Sequence, residues 1–366
     1  MLFLKQIDFI IQLKDFSLTI NKIIWVGCID FSKATERSSA LSPAANAWQI
    51  NFIKALSNNS NSVYVFSHIP YSTWPKGPLI VKGSRSFTNK KNITLINLSY
   101  INIPLIRDIY IGFYTLIMVL MVLQKGTLLF TYNQSFKCIL SGFIWRILKK
   151  KWILILADGR DVIGAYKTIY LSYYAYMQSK KRNKTHFDSG IHDYLKNSLD
   201  PIVNNILFAG SISTWTGIYD FANEFSKSKV CSDLVLDIYG KGDISPIQHL
   251  IDGKHIRYFG YVDFDVLFHA ACSVSAFINP RPGNTEEELN NYPSKVSFYI
   301  GFGKKVISTK TLNISPKYNN IISYYESVDQ IPEILKSNSE ESRKEMYAFI
   351  MANSWHNKVQ EFLKEL

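Results

Sequence analysis

Two short, wholly apolar runs, 152–157 (WILILA) and 276–278 (AFI), each stop at a polar turn, and this pattern restricts the fold more than any other feature. A run without polar alternation suits a strand buried on both faces, as in parallel sheets covered by helices. Asn279-Pro280-Arg281-Pro282 cannot continue a ladder, so the chain turns at the strand's C-terminal end. Further strands are expected at 22–28, 63–66, 93–98 and 127–132, with helices at 43–56, 104–123 and 136–150. Residues 167–176 read as a strand to Ser172 and a short helix, and 185–191 as a closing strand and turn. The second half repeats the rhythm, with strands at 205–209, 234–239, 256–259 and 305–309. Its helices are expected at 217–228, 263–271, from Pro293 to 301–303, and as one long element over 340–366. This alternation predicts an α/β fold of two Rossmann-like, doubly wound parallel sheets.

A chain of 366 residues suits two domains rather than one core. The boundaries are expected at 21–200, 201–340 and a C-terminal helix over 341–366, with a linker near 197–205 and no assignment for 1–20. The formal charge of +12 is uneven: residues 1–200 hold 25 Lys and Arg against 10 Asp and Glu, and the rest hold 16 against 19. A basic first half is compatible with an anionic surface such as phospholipid headgroups, and equally with solvated lysines. The four cysteines are far apart and suit buried thiols in a reducing compartment. Charges at Lys5, Asp8, Lys14 and Asp15 argue against a signal peptide. The uncharged stretch 109–124 falls short of the ~18 residues of a spanning helix and is expected as a buried helix rather than a membrane-dipping one. The protein is therefore expected to be cytoplasmic and at most peripheral at the membrane.

Several turns of the second half lie at strand ends, where an open α/β sheet binds ligands. Gly210-Ser211-Ile212-Ser213-Thr214 offers backbone N–H and hydroxyl groups to a diphosphate. Tyr239-Gly240-Lys241-Gly242-Asp243 gives a permissive backbone against which a flat base can lie, and Gly260-Tyr261-Val262 offers polar backbone to a base edge. Pro293-Ser294-Lys295 opens a helix, and Lys295 and Arg281 add positive charge there.

Asn279-Pro280-Arg281, Pro293-Ser294-Lys295, Tyr299 and the close from Gly301 to Thr309 resemble the donor-binding segment of glycosyltransferase family four. The order of the turns over 205–309 is similar as well. The resemblance implies a GT-B fold, with an interdomain cleft and a C-terminal helix crossing back, and a retaining transferase using a nucleotide-sugar. Three positions depart from the family pattern. Phe298 stands where the family has the second of two ribose-associated acids, with Asn290 eight residues earlier. Ser211 and Thr216 stand where it often has Arg and Lys on the diphosphate. Glu286, Glu287 and Glu288 lie nearby in the loop as candidate acidic substitutes, and Lys295, Arg281 and Lys241 are the candidate cations, in that order.

From the first half, Asp158 and Asp161 follow a strand and are candidates to orient an acceptor hydroxyl; a turn-forming role beside Gly159 serves as well. On the expected acceptor side, Ser38, Ser39 and Asn46 follow the first strand, where a loop can meet the donor phosphates, and His68 ends another strand, where a His is more often structural. His, Cys and Asp form no nucleophilic triad or metal set, so a metal-independent enzyme without a cofactor beyond its nucleotide-sugar co-substrate is expected. The reading is a transferase moving sugar to a lipid-linked saccharide in O-antigen, capsule or exopolysaccharide synthesis at an anionic membrane surface. An inactive GT-B scaffold binding a partner transferase or glycan is the alternative, and no nucleic-acid motif is present.

Overall fold

The computed structural model describes residues 22–31, 41–60, 62–88, 92–158, 162–197, 204–283, 285–337 and 340–366. The chain forms two units, Met1–Leu156 with Arg160–Thr168, and Ala157–Gly159 with Ile169–Leu366. The candidate residues Ser38, Ser39 and Asp161, and the segment 1–20, lie outside the described residues.

The first unit is built from β1 (Lys22–Gly27), α1 (Pro43–Leu56), β2 (Val63–Ser67), β3 (Ile80–Val81), β4 (Ser84–Thr88), β5 (Ile93–Asn97) and β6 (Tyr100–Ile101). It continues with α2 (Ile106–Met121), β7 (Thr127–Tyr132), α3 (Phe136–Ile147) and β8 (Trp152–Leu156). Its sheet runs β8-β7-β1-β2-β5-β4, parallel except for β4, while β3 and β6 form a separate antiparallel pair. Neither β4 nor that pair is signalled by apolar runs. The α1 helix starts as expected, with Pro43 in its first turn and Ser42 Oγ accepting from the Ala45 N–H. Trp25 stacks on Phe130 at 5.8 Å, and Gly142 lets α3 lie on Trp152, where a Cβ would come within 2.1 Å of the indole.

Helix α2 departs from the sequence expectation. Only Ile111, Gly112, Thr115 and Val119 are buried; Phe113, Ile117 and Met121 on the opposite side are 53%, 55% and 74% exposed. The apolar stretch is thus not a buried helix, because just one narrow face finds neighbours.

The chain passes through β9 (Lys167–Tyr170), α4 (Tyr173–Gln178) and β10 (Lys184–His186) into β11 (Asn205–Ala209), α5 (Ile218–Lys227), β12 (Val235–Tyr239) and β13 (Ile256–Gly260). There follow α6 (Phe264–Ser273), β14 (Ala276–Asn279), α7 (Glu286–Asn290), α8 (Lys295–Ile300), β15 (Lys305–Ser308), β16 (Ile322–Tyr324) and α9 (Ile331–Lys336). Two helices close the chain, α10 (Glu340–Ala352) and α11 (Trp355–Lys364). The second sheet is wholly parallel, in the order β13-β12-β11-β14-β15-β16. Alternate residues of β11 serve its two faces: Ile206 and Phe208 join one core, Leu207 and Ala209 the other.

The expected single helix over 340–366 is broken. Ser354 caps a new helix, its Oγ accepting from the Asn357 N–H at 3.3 Å, and the Ile191 N–H donates to Asn353 O at 2.9 Å across the break. The polar loop expected after β14 likewise contains α7, started by a Thr285–Glu288 capping box. A buried charge cluster ties α11 down: Lys358 Nζ donates to Asp188 and to Ser189 O, and Lys317 Nζ and Tyr318 OH reach the same carboxylate at 3.0 and 2.7 Å.

Candidate functional site

The second sheet changes direction at β11. From there the chain builds outward through β12 and β13, then returns to place β14 on the other side. In an open parallel sheet such a switch point leaves a crevice beyond the strand C-termini. Gly210 follows β11 and Asn279-Pro280-Arg281 ends β14 on either side of it.

Main chain forms the floor. The Gly210 N–H donates to Tyr239 O at 2.9 Å, and the Ile212 N–H donates to Lys241 O at 3.0 Å. The two turns lie so close that a Cβ on Gly240 would stand 1.7 Å from Gly210 O, and one on Gly242 2.0 Å from Ile212 O. Both glycines have positive φ, +146° and +157°. Tyr239 is buried and stacks on Phe259 at 4.6 Å; Tyr261 is exposed and Val262 packs against the core.

Lys295, at the start of α8, reaches this floor. Its Nζ lies 4.1 Å over the Phe208 ring, and a Cβ on Gly210 would come within 2.4 Å of it. Tyr299 sets that position, since its buried hydroxyl accepts from the Ala209 N–H at 2.8 Å and donates to Ala209 O at 3.0 Å. Among the described residues the ammonium makes no hydrogen bond or ion pair. Burial, and then the neighbouring Arg281 charge, push it down to about 7. Helix α8 spans six residues rather than the longer helix expected, so its dipole is small and the side-chain cation carries most of the field.

Arg281 is buried over the Trp215 ring at 5.2 Å, with Nη2 donating to Glu288 O at 3.0 Å and Nε without a partner among the described residues. Desolvation lowers its pKa. Ser213 Oγ is buried and equally unpartnered, in the turn that Thr216 closes by donating to Ser213 O. Ser211 and Thr214 are exposed beside it. Gly217, at φ +72°, brings this turn against β14, where a Cβ would meet Pro280 O at 1.9 Å. Lys295 Nζ, Arg281 Nε and Ser213 Oγ thus lack acceptors among the described residues, on α8 and on the turns that follow β14 and β11, and donors of this kind suit an anion.

Other candidates do different work. The buried Asn279 amide donates to Ser308 Oγ at 2.9 Å, closing β14 onto β15. Pro293 is buried, and Ser294 precedes α8 without a side-chain cap bond. Glu286 is an exposed first residue of α7, and Glu288 is spent on its cap. Phe298 packs among Phe302, Tyr194 and Phe264 at 5.1–6.2 Å. Asp158 is exposed just after β8. In the first unit Asn46 bonds both the N–H and C=O of Asp30, and His68 is buried with Nε2 2.9 Å from Cys28 Sγ. Burial, and then Lys137, push His68 down to about 3, so the imidazole is neutral. Sequence reasoning missed Trp215 and Phe208, whose rings flank the two cations. It also passed over the sequence's one Asp-x-Asp, Asp263 and Asp265, which stands at the start of α6. Among the described residues no group of three His, Cys, Asp or Glu is placed to hold a metal.

No family model and no curated protein matches this sequence. Solved structures do match it in three dimensions. The apo structure of OtsA superposes with a TM-score of 0.67 at 8% identity, covering 94% of this chain and 99% of that one. The fold is GT-B. A glycosyltransferase from Rickettsia africae matches at TM-score 0.63 and 13% identity, covering 94% and 97% of the two chains. The lipopolysaccharide outer core galactosyltransferase WaaB, in its apo form, matches at 0.61 and 11%, covering 94% and 98%. These GT-B likenesses span both units of the present chain.

Proposed function

We propose that this GT-B protein is a glycosyltransferase that takes a sugar from a nucleotide-sugar bound at the switch point of its second sheet. The observation that carries the reading is Lys295, a lone ammonium held against Gly210 and lacking any acid partner among the described residues. A diphosphate supplies that partner. Its negative charge grows as the sugar departs, so a cation held beside it stabilises the transition state more than the ground state. Arg281 and Ser213 stand ready as further donors, and the glycine-lined turns admit a base close to main chain. Tyr299 is a positioning residue, acting through Lys295. Asp158 remains the candidate for orienting the acceptor.

The finer parts of the proposal follow the resemblance in sequence and the GT-B neighbours. Transfer is retaining and independent of metal, and the acceptor is a lipid-linked saccharide in the assembly of a surface polysaccharide, reached from the cytoplasmic face of the membrane. The lipopolysaccharide galactosyltransferase among the neighbours supports that setting. Thermal unfolding of the full chain with UDP, GDP, ADP, CMP and their sugar conjugates tests the donor. One of them is expected to stabilise by about 2.7 kcal/mol at a hundred times its Kd. If none shifts the transition, there is no donor site.

A second reading has one observation in its favour. Phe298 sits in an aromatic cluster rather than offering an acid to the opening, which suits a scaffold binding a partner transferase or a glycan. A scaffold keeps its biological effect when Lys295 becomes Ala; an enzyme loses turnover.

A further inference from the structure

The outward side of α2 reverses the usual arrangement of a surface helix, which turns polar residues to water. Ile106, Ile109, Phe113, Ile117 and Met121 recur at one-face spacing and are between 49% and 74% exposed. Helix α3 extends the strip. It packs on the Gly112 side of α2 through Phe136 and adds exposed apolar side chains of its own, Phe136 at 45% and Ile147 at 71%. An apolar face of this length left exposed marks a surface that binds something.

Charge identifies the partner. From residue 105 to 151 the sequence holds seven basic residues and a single acidic one, Asp108. That carboxylate is neutralised locally, with Arg107 Nε at 3.2 Å and Lys137 Nζ at 3.3 Å. At the opposite end Lys150 Nζ donates to Gln124 O at 3.2 Å, which sets the Lys149-Lys150-Lys151 run beside the C-terminus of α2. An apolar strip bordered by cations matches the interface of an anionic bilayer, where side chains enter the headgroup boundary while lysines meet phosphates. Helix α2 has 16 residues, and no helix among the described residues is long and apolar enough to cross a membrane. A helix of this kind that cannot span a bilayer suits the plane of its surface.

We infer that α2, with the adjoining edge of α3, is the face by which the first unit docks onto an anionic lipid bilayer. The inference deepens the peripheral placement proposed above, and it is read with no nucleotide or saccharide present, so its failure is separate from failure of the donor site.

Flotation of the full chain with phosphatidylcholine vesicles, with and without phosphatidylglycerol, tests it. Binding is expected only to the anionic vesicles and is expected to weaken with salt. Phe113→Ser with Ile117→Ser should cut vesicle affinity by about tenfold or more. Changing Lys149, Lys150 and Lys151 to Gln should cut it on the order of a hundredfold. Unchanged melting temperatures show that the variants fold; Met121→Ser, at the most exposed of these positions, is the second apolar variant. The inference is overturned if wild type does not float, or if the apolar variants float as wild type does. It is overturned equally if they convert a dimer into a monomer in sedimentation velocity without altering flotation, since the strip then joins two copies.

Discussion

Replacing Lys295 with methionine is expected to stabilise the unliganded chain and to abolish its response to nucleotide diphosphates. Methionine keeps the length of the stem and its contact with Phe208 but removes the desolvated charge. The displacement of Lys295 from 10.5 to about 7 corresponds, at about 1.36 kcal/mol per pH unit, to an upper limit of roughly 5 kcal/mol. Relaxation of the site and the lost cation–π contact, worth about 0.5–2 kcal/mol, reduce the gain to roughly 1–3 kcal/mol at pH 6. Because the folded value lies below the unfolded one, the unfolded chain binds the extra proton between pH 7 and 10.5. The penalty is therefore complete below pH 7 and is relieved as the pH rises through that window. Urea unfolding of both proteins at pH 6 and pH 9 reads the effect: the advantage of the variant should be largest at pH 6 and shrink at pH 9. A variant less stable than wild type at pH 6, or a difference that ignores pH, would refute the picture of a partnerless, desolvated ammonium.

Three further outcomes are expected. Diphosphate binding should take up a proton above pH 7, because the ligand restores the charge on Lys295; calorimetry in buffers of different ionisation enthalpy measures it, and zero uptake at pH 8 contradicts the assignment. Asp188→Asn should cost about 3–5 kcal/mol in chemical denaturation by leaving Lys358 and Lys317 unpaired. Burial alone would raise Asp188, yet Lys358 and Lys317 override it and hold it well below the carboxylate range. Its contribution is present above the unfolded value of about 3.9 and is lost only as pH falls through the lower folded one, so Asp188→Asn should flatten the acid limb of the stability curve. Gly240→Ala forces a Cβ to 1.7 Å from Gly210 O at φ +146°, and should cost about 1–3 kcal/mol and weaken nucleotide affinity; an unaltered melting curve and affinity would show that the turns need not touch.

The central strands of both sheets were legible because they are buried on both faces and appear as apolar runs, as in β7 and β11. The expected bounds of β7 and β11 agree with the structure to the residue. The order of the turns was legible too, and the structure sets Lys295 against Gly210, with Arg281 in the turn after β14. What pattern could not reveal was orientation. Asn279 and Arg281 are neighbours of similar polarity, yet one closes the sheet edge against Ser308 and the other lies over an indole. Sequence gives no sign of the ring beneath Lys295, because Phe208 reads only as a core strand residue. The outward face of α2 was misjudged because its composition is apolar all round and periodicity has nothing to register against. The capping box at Thr285 and the serine at 354 were available signals, overlooked in stretches judged by composition alone.

The buried carboxylate of Asp188 has a consequence for how the chain is made. On a ribosome it emerges 170 residues before Lys358, the cation that neutralises it most closely. Until then a charged oxygen has no place in a dry interior, and the segment around it must stay hydrated or protonated. Final closure of the second unit thus waits for α11. Nascent chains arrested short of Lys358 should be cut by protease near Asp188, and those that include α11 should resist it.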